Sequence, residues 1–330
     1  MSRSSRRRGA AALFGALLLF PAGPAGATPP GPEGGRPPDL DRLAGIEQAI
    51  AGRDRSMLPS IRKWADGDPS ERVRERSLGA LTLLADREAE PLIGDRLAKD
   101  PSGRVRRAAA EAAGVLSLPS LRSAIADRLA RDPDPLVRAE CARALGRIPG
   151  GDDSPLLVAL VTDSSPEVRA LCAEALAVRK PRDAMDLLRT VARQDPSVLV
   201  RVYAVRGLAR TDPSGSVALF RHAWKESEDP DLRMEAFQGL LRAGGDEPLI
   251  EAGIADSDER VRFLAFRAWL ASRFPPPRRG EKPSASAESI RRLTGFLTDP
   301  LRGIRELARE EMERQGFRLR PSGFGYAVER

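Results

Sequence analysis

An aliphatic residue followed by arginine recurs eight times in register along this chain of 330 residues. The pairs are Val73-Arg74, Val105-Arg106, Val137-Arg138, Val168-Arg169, Val200-Arg201, Leu232-Arg233, Val261-Arg262 and Ile304-Arg305, with successive spacings of 32, 32, 31, 32, 32, 29 and 43 residues. A period of roughly 20 to 50 residues dictates a repeat architecture: each unit is too small to bury its own apolar face, so neighbours stack into one continuous core.

The positions behind each anchor say what the unit is made of. Four residues on stand Ser77, Ala109, Cys141, Cys172, Ala204, Ala236, Ala265 and Ala308, all small. Seven on stand Ala80, Ala112, Ala144, Ala175, Gly207, Gly239 and Ala268, with Glu311 breaking the column, and eight on stand Leu81, Ala113, Leu145, Leu176, Leu208, Leu240, Trp269 and Met312. Offsets of four, seven and eight trace one face of an α-helix. Its small residues let a neighbouring helix come close. Ahead of the anchors a second helical pattern runs, as in Leu118, Leu121, Ile125 and Leu129, or Met185, Leu188 and Val191. Each unit is therefore a helical hairpin, antiparallel because its connection is short.

Most hairpins turn at an Asp-Pro pair, as in DPSERVR (Asp68 to Arg74), DPSGRVR (Asp100 to Arg106) and DPSVLVR (Asp195 to Arg201). The aspartate reads as the N-cap of the second helix and the proline as its first residue. The recurring charges then form a ladder along one edge: Asp68, Arg74, Asp100, Arg106, Asp132, Arg138, Asp163, Arg169, Asp195, Arg201, Arg233, Asp256, Arg262, Asp299 and Arg305. As exposed pairs these stabilise by about 0 to 1 kcal/mol each. A row of arginines gripping a polyanion is the other reading, but an aspartate at every helix start repels phosphate.

The D-P-S-x-x-V-R opening and the Ala-rich helix ending as in CARALGRI (Cys141 to Ile148) resemble HEAT repeats, in particular the bacterial phycobilisome-lyase type. The resemblance covers residues 39–315 and implies an all-α fold, a right-handed α-solenoid of about eight to nine stacked antiparallel helical hairpins. It brings no enzymatic residues, because the shared pattern is the scaffold itself.

Three places depart from the pattern. Ser227 takes the aspartate position of the sixth unit. A Pro/Ser-rich insertion, FPPPRRGEKPSASAES (274–289), widens the last spacing, and residues 316–330 lose the period. Loops of a repeat array often carry its binding surface. Phe274, Arg278, Arg279 and Lys282 in the insertion, and Phe317, Phe324 and Tyr326 in the tail, are accordingly the candidate partner contacts, with capping of the last unit as the tail's other role.

Residues 1–27 have the layout of a secretory signal: four arginines, an apolar run from Ala10 to Phe20, then small residues ending at Ala27, where cleavage is expected. The apolar run is too short for the roughly 20 residues of a membrane span. Residues 28–38 read as a Pro/Gly-rich linker. The signal's four arginines take the balance from 54 basic against 47 acidic residues, +7, to 50 against 47, +3. That is too little excess for a protein that binds nucleic acid by displacing counterions.

Cys141 and Cys172 share one small-residue column on neighbouring helices. Packed helices lie about 8 to 10 Å apart, beyond the roughly 7 Å between Cα atoms that a disulfide tolerates, so two free buried thiols are expected. His222 is the single histidine, and the chain has no sequence signature of a nucleotide, metal or catalytic site. The expectation is an exported, non-catalytic scaffold, in a periplasm or outside the cell, that needs no cofactor and binds a protein or peptide. The alternative is an enzyme or nucleic-acid-acting protein on the same scaffold, DNA glycosylase-like or chromophore lyase-like. The oligomeric state is not set by the sequence.

Overall fold

The computed structural model describes residues 38–181, 183–276 and 285–329. The expected signal segment, Arg278, Arg279 and Lys282 lie outside the described residues. A single helix α1 (Pro38–Gly52) precedes eight hairpins among the described residues. These are α2 (Leu58–Gly67) with α3 (Glu71–Leu83), α4 (Glu90–Lys99) with α5 (Gly103–Val115), α6 (Arg122–Arg131) with α7 (Pro135–Arg147), and α8 (Ser154–Thr162) with α9 (Pro166–Arg179). They continue with α10 (Ala184–Gln194) and α11 (Val198–Thr211), α12 (Val217–Glu226) and α13 (Pro230–Arg242), α14 (Glu247–Ile254) and α15 (Glu259–Arg273), and α16 (Ala287–Phe296) and α17 (Arg302–Arg314). The array is an all-α solenoid. No helix among the described residues is long and apolar enough to cross a membrane.

The second helices, α3 to α13 in odd steps, pack directly on one another, whereas the first helices touch their neighbours sparsely. We refer to this more closely packed layer as the inner one. Its closeness follows from the small columns: a Cβ added at Gly146 would lie 2.8 Å from Ala175 Cβ, and one at Gly114 would lie 2.9 Å from Ala144 Cα. The anchors Val73, Val105, Val137, Val168, Val200 and Val261 are fully buried.

Helices α1, α3 and α5 end in one device. Arg53, Ala85 and Ser117, each 32 residues after the last, take positive φ of 52°, 54° and 51°. The next amide returns to the carbonyl five residues back, from Asp54 to Ala49 and Asp86 to Leu81 at 2.8 Å and from Leu118 to Ala113 at 3.0 Å. This left-handed ending satisfies carbonyls that the helix would otherwise leave open.

The ladder aspartates of the hairpin turns are not N-caps, although Asp134 and Asp229, each followed by proline, are. Asp68, Asp100, Asp132, Asp163 and Asp195 each close the preceding helix in extended conformation, and the caps are Ser70, Ser102, Asp134, Ser165 and Ser197. Three residues reverse the chain between the helices, as Asp68, Pro69 and Ser70 do, so Pro69 and its equivalents stand outside the second helix. The aspartate Oδ1 accepts the amide two residues on, for example Ser70 at 2.9 Å and Ser102 at 3.0 Å. Its other lone pairs stay available for the arginine of the preceding unit.

From α15 onward the packing changes. Phe266, Trp269, Phe274, Leu293, Leu297, Ile304 and Met312 form a separate aromatic-rich core, and α15 meets α13 and α17 less closely than the earlier inner helices meet one another. Trp269 stands where the earlier units carry Leu or Ala, and Phe266 adds a second ring beside it. The tail adds strands β1 (Leu319–Ser322) and β2 (Gly325–Val328), an antiparallel hairpin pairing Leu319 with Val328. Only the first of its two loop residues, Gly323, has positive φ, the signature of a type II′ turn. The hairpin is tied down by the Tyr326 amide, which donates to the Leu297 carbonyl at 3.1 Å.

Candidate functional site

Each complete rung of the ladder joins two units. Arg106 donates from Nε to Asp132 Oδ2 at 2.8 Å and from Nη2 to Asp132 Oδ1 at 2.9 Å, while its Nη1 donates to the Asp100 carbonyl at 2.9 Å. Arg74 with Asp100, Arg138 with Asp163 and Arg169 with Asp195 repeat this two-point geometry at 2.8 to 3.0 Å. The exposed edge pairs expected from the sequence are instead buried ones: the Asp100 and Asp132 side chains are 0% exposed and Arg74 and Arg106 about a tenth. The arginine runs back along its own helix start to reach the turn carbonyl, and this takes the pair out of water.

Burial alone pushes the Asp132 and Asp163 carboxyls up, but the guanidiniums of Arg106 and Arg138 and the backbone amides of Asp134 and Ser165 outweigh it. Both carboxyls end below the ordinary range. The same carboxylates raise Arg106 and Arg138.

The ladder extends further toward the N-terminus than the anchors indicate. Arg42 on α1 contacts Asp68, with Nε 2.7 Å from Oδ2 and Nη2 donating to Oδ1 at 3.2 Å. Asp41 precedes it where the other units carry an aliphatic residue, which hid it. Its position 32 residues before Arg74 was the signal.

Toward the C-terminus the ladder is irregular. Arg233 reaches Asp256 through Nη2 alone, at 2.6 and 2.8 Å, and Trp224 Nε1 donates to the same carboxylate at 2.8 Å. Arg201 keeps its bond to the Asp195 carbonyl at 2.8 Å, and Ser227 takes the sequence position of the next unit's aspartate. Arg262 bonds the Asp256 carbonyl at 3.0 Å, and among the described residues it does not pair with Asp299. Arg305 bonds the Asp299 carbonyl at 2.7 Å and lies over the Phe324 ring at 5.4 Å.

The loop and tail candidates fare differently. Phe274 is buried at 4% exposure and meets Trp269 edge to face at 5.7 Å, so it belongs to the core. Its apolar ring follows directly on α15 and fills that core. Phe317 packs on the same core, and Tyr326 donates its hydroxyl to Glu306 at 2.8 Å. Phe324, at 71% exposure, is the tail candidate that is open to solvent. Cys141 and Cys172 are both free and buried, and burial pushes both thiols up.

Partner contact through non-repeating side chains of the inner helices is also expected from the sequence, which does not name the residues. On the free face of these helices, residues one before and ten after each anchor are exposed or half-exposed, as are those three and six after it except the buried Glu140 and Glu235. Of the nine large apolar side chains exposed among the described residues, six lie on this face: Leu40, Leu83, Val115, Leu136, Val178 and Leu199. Periodicity located the buried columns, and its complement could have found these. An open groove of about 550 Å³, counted with its solvent-filled mouth, runs between α9 and α11 beside Glu174, Val178, Tyr203, Arg206 and Arg210. Arg206 there donates to buried Glu235 at 2.7 Å and lies 5.0 Å from the centre of the Tyr203 ring.

Among known families, HEAT repeats match residues 58–146, 91–177, 122–201, 153–241 and 185–269. No curated protein matches the chain. Among solved structures, the complex of CpcE and CpcF of phycocyanin lyase from Nostoc sp. is similar at 19% identity and TM-score 0.42, over 74% of this chain and 98% of that one. Human deoxyhypusine hydroxylase in complex with glycerol is similar at 20% identity and TM-score 0.31, over 69% and 95%. Likenesses at this level say nothing about activity. The family windows span more than half of the chain, and the same stretch stacks hairpin on hairpin through Arg–Asp rungs: the chain belongs to the HEAT-repeat family.

Proposed function

We propose that this HEAT-repeat chain is an exported, non-catalytic scaffold whose inner face binds another protein or an extended peptide. The observation that carries the reading is the clustering of exposed large apolar side chains, six of the nine among the described residues, on the free face of the inner helices. A folded chain scatters such residues unless a partner covers them. In the same column as Leu83, Val115 and Val178, the third, fifth and sixth units place Arg147, Arg210 and Arg242. Apolar contact area with arginines beside it is the composition of a protein interface. Both thiols are buried and held protonated, so they offer no nucleophile.

The test is a photo-crosslinking amino acid placed in the full chain at Val115 or Val178, compared with Val158 or Val161, which are equally exposed on the outer helix α8. One crosslinked partner from the inner positions and none from the outer ones is expected. Crosslinking from α8 alone would overturn the assignment of the face. Export is tested separately by N-terminal sequencing of the mature protein, with Thr28 expected as its first residue.

A further inference from the structure

Ser227 stands 26 residues after Arg201, the offset that separates Arg74 from Asp100, Arg106 from Asp132 and Arg169 from Asp195. Its backbone, at φ −81° and ψ 135°, matches that of Asp195 at −61° and 133°. Its hydroxyl even reproduces the turn, accepting the Asp229 amide at 3.1 Å. Only the carboxylate is missing. On the other side, Arg201 is fixed as its counterparts are, through Nη1 and the Asp195 carbonyl at 2.8 Å. Its Nε and Nη2 edge, which in four other rungs meets a carboxylate at two points, meets no protein acceptor among the described residues.

We propose that Arg201, opposite Ser227, is a binding site for one carboxylate supplied by a partner protein, an Asp or Glu side chain that completes this rung from outside. The neighbouring units are the template: the same guanidinium, held by the same carbonyl, takes a planar two-oxygen anion along its Nε–Nη2 edge, a geometry suited to carboxylates. Glu226 and Glu228 flank Ser227 and are exposed. They repel a bare anion and favour an acidic residue that has lysine or arginine beside it. The site deepens the protein-binding reading and rests on it, but it lies at the hairpin turns, away from the inner face, so the two can fail separately.

The experiment follows the Arg201 side-chain Nε–H signal by NMR in the full chain during titration with Lys-Asp-Lys, Lys-Asn-Lys or acetate. Lys-Asp-Lys should bind at least about tenfold more tightly than Lys-Asn-Lys, as a two-point charged hydrogen bond implies. The preference should vanish in Arg201→Gln and also in Ser227→Asp, which fills the rung from within and keeps the arginine. No preference in the parent chain, or a preference that survives Ser227→Asp, overturns the site. Acetate binding as tightly as Lys-Asp-Lys overturns the partner assignment. A loss of thermal stability in Glu228→Gln would mean that Glu228 already closes on Arg201, and would overturn the site as well. The inner-face crosslinks are unaffected by any of these outcomes.

Discussion

Arg74 and Asp100 stand 26 residues apart and meet at two points, Nε to Oδ2 at 2.9 Å and Nη2 to Oδ1 at 3.0 Å, while Arg74 Nη1 holds the Asp68 carbonyl at 2.7 Å. One guanidinium thus ties the turn of its own hairpin to the turn of the next. Stacked repeats owe their stability to nearest-neighbour interfaces, and a rung of this kind fixes the register of each interface. The aspartate serves both sides, since its Oδ1 also accepts the Ser102 amide at 3.0 Å.

Breaking a buried rung leaves a charge without its partner. Asp132→Asn strands Arg106 in a site where the aspartate side chain is 0% exposed, and should lower stability by about 3 to 5 kcal/mol in urea unfolding. Glu47→Gln removes the exposed partner of Arg76, with side chains 56% and 38% exposed, and should cost under about 1 kcal/mol. Equal losses would show that burial does not set the worth of these pairs.

Glu140 behaves in the opposite sense to the rung aspartates. Burial pushes its carboxyl up, and Oε1 has no hydrogen-bond partner, although Arg143 reaches the other oxygen. A folded pKa above the unfolded one means that the folded state holds the proton more tightly. Stability is then lost as pH rises through the folded value. Glu140→Gln should therefore be more stable than the parent at pH 7, with the advantage shrinking in urea titrations as pH falls toward about 4.3, the unfolded carboxyl value. The rung carboxyls of Asp132 and Asp163 are depressed, so their contribution is complete above about pH 4 and is lost on further acidification.

The close approach of inner helices is equally open to test. Gly146 packs where a Cβ would sit 2.8 Å from Ala175 Cβ and 3.0 Å from Ala175 Cα. Gly146→Val must push α7 and α9 apart or strain both, and should cost about 1 to 3 kcal/mol. The same change at exposed Gly52, with nothing within 4 Å of an added Cβ, should leave the melting temperature nearly unchanged.

The period made the hairpins, the buried small columns and the free thiols legible, because burial at fixed offsets leaves a repeating trace in residue type. The partner of each arginine was less legible. An aspartate six residues ahead looks like a cap, and only the chain path shows that the carboxylate turns to the arginine of the unit before it. Arg42 escaped because Asp41 replaced the aliphatic half of the signature. The tail hairpin is two strands of four residues, too short for alternation to stand out. Phe274 read as loop because of the prolines that follow it, yet its ring fills the aromatic core. The residues of the inner face were not named because repeat analysis reads columns of constant residue type, whereas the column ten residues after each anchor alternates between apolar residues such as Leu83 and Val115 and arginines such as Arg147 and Arg210.

Cys141 and Cys172 link the register to the ladder in one measurement. They occupy one column on α7 and α9, both are fully buried, and burial holds both thiols protonated. Under native conditions a thiol reagent should label them only when the array opens, and non-reducing mass spectrometry should find both free. The units that carry them are joined by the rung from Arg138 to Asp163, at 2.8 and 2.9 Å. Asp163→Asn should therefore speed labelling of both cysteines, because opening this interface becomes easier by most of the cost of a broken buried pair. Asp68→Asn, three interfaces away, should leave Cys172 labelling nearly as it was, since in a stacked array a broken contact is felt mainly by its neighbours. A Cys141–Cys172 bridge, or labelling that responds equally to both substitutions, would contradict the register and the nearest-neighbour role of the rung.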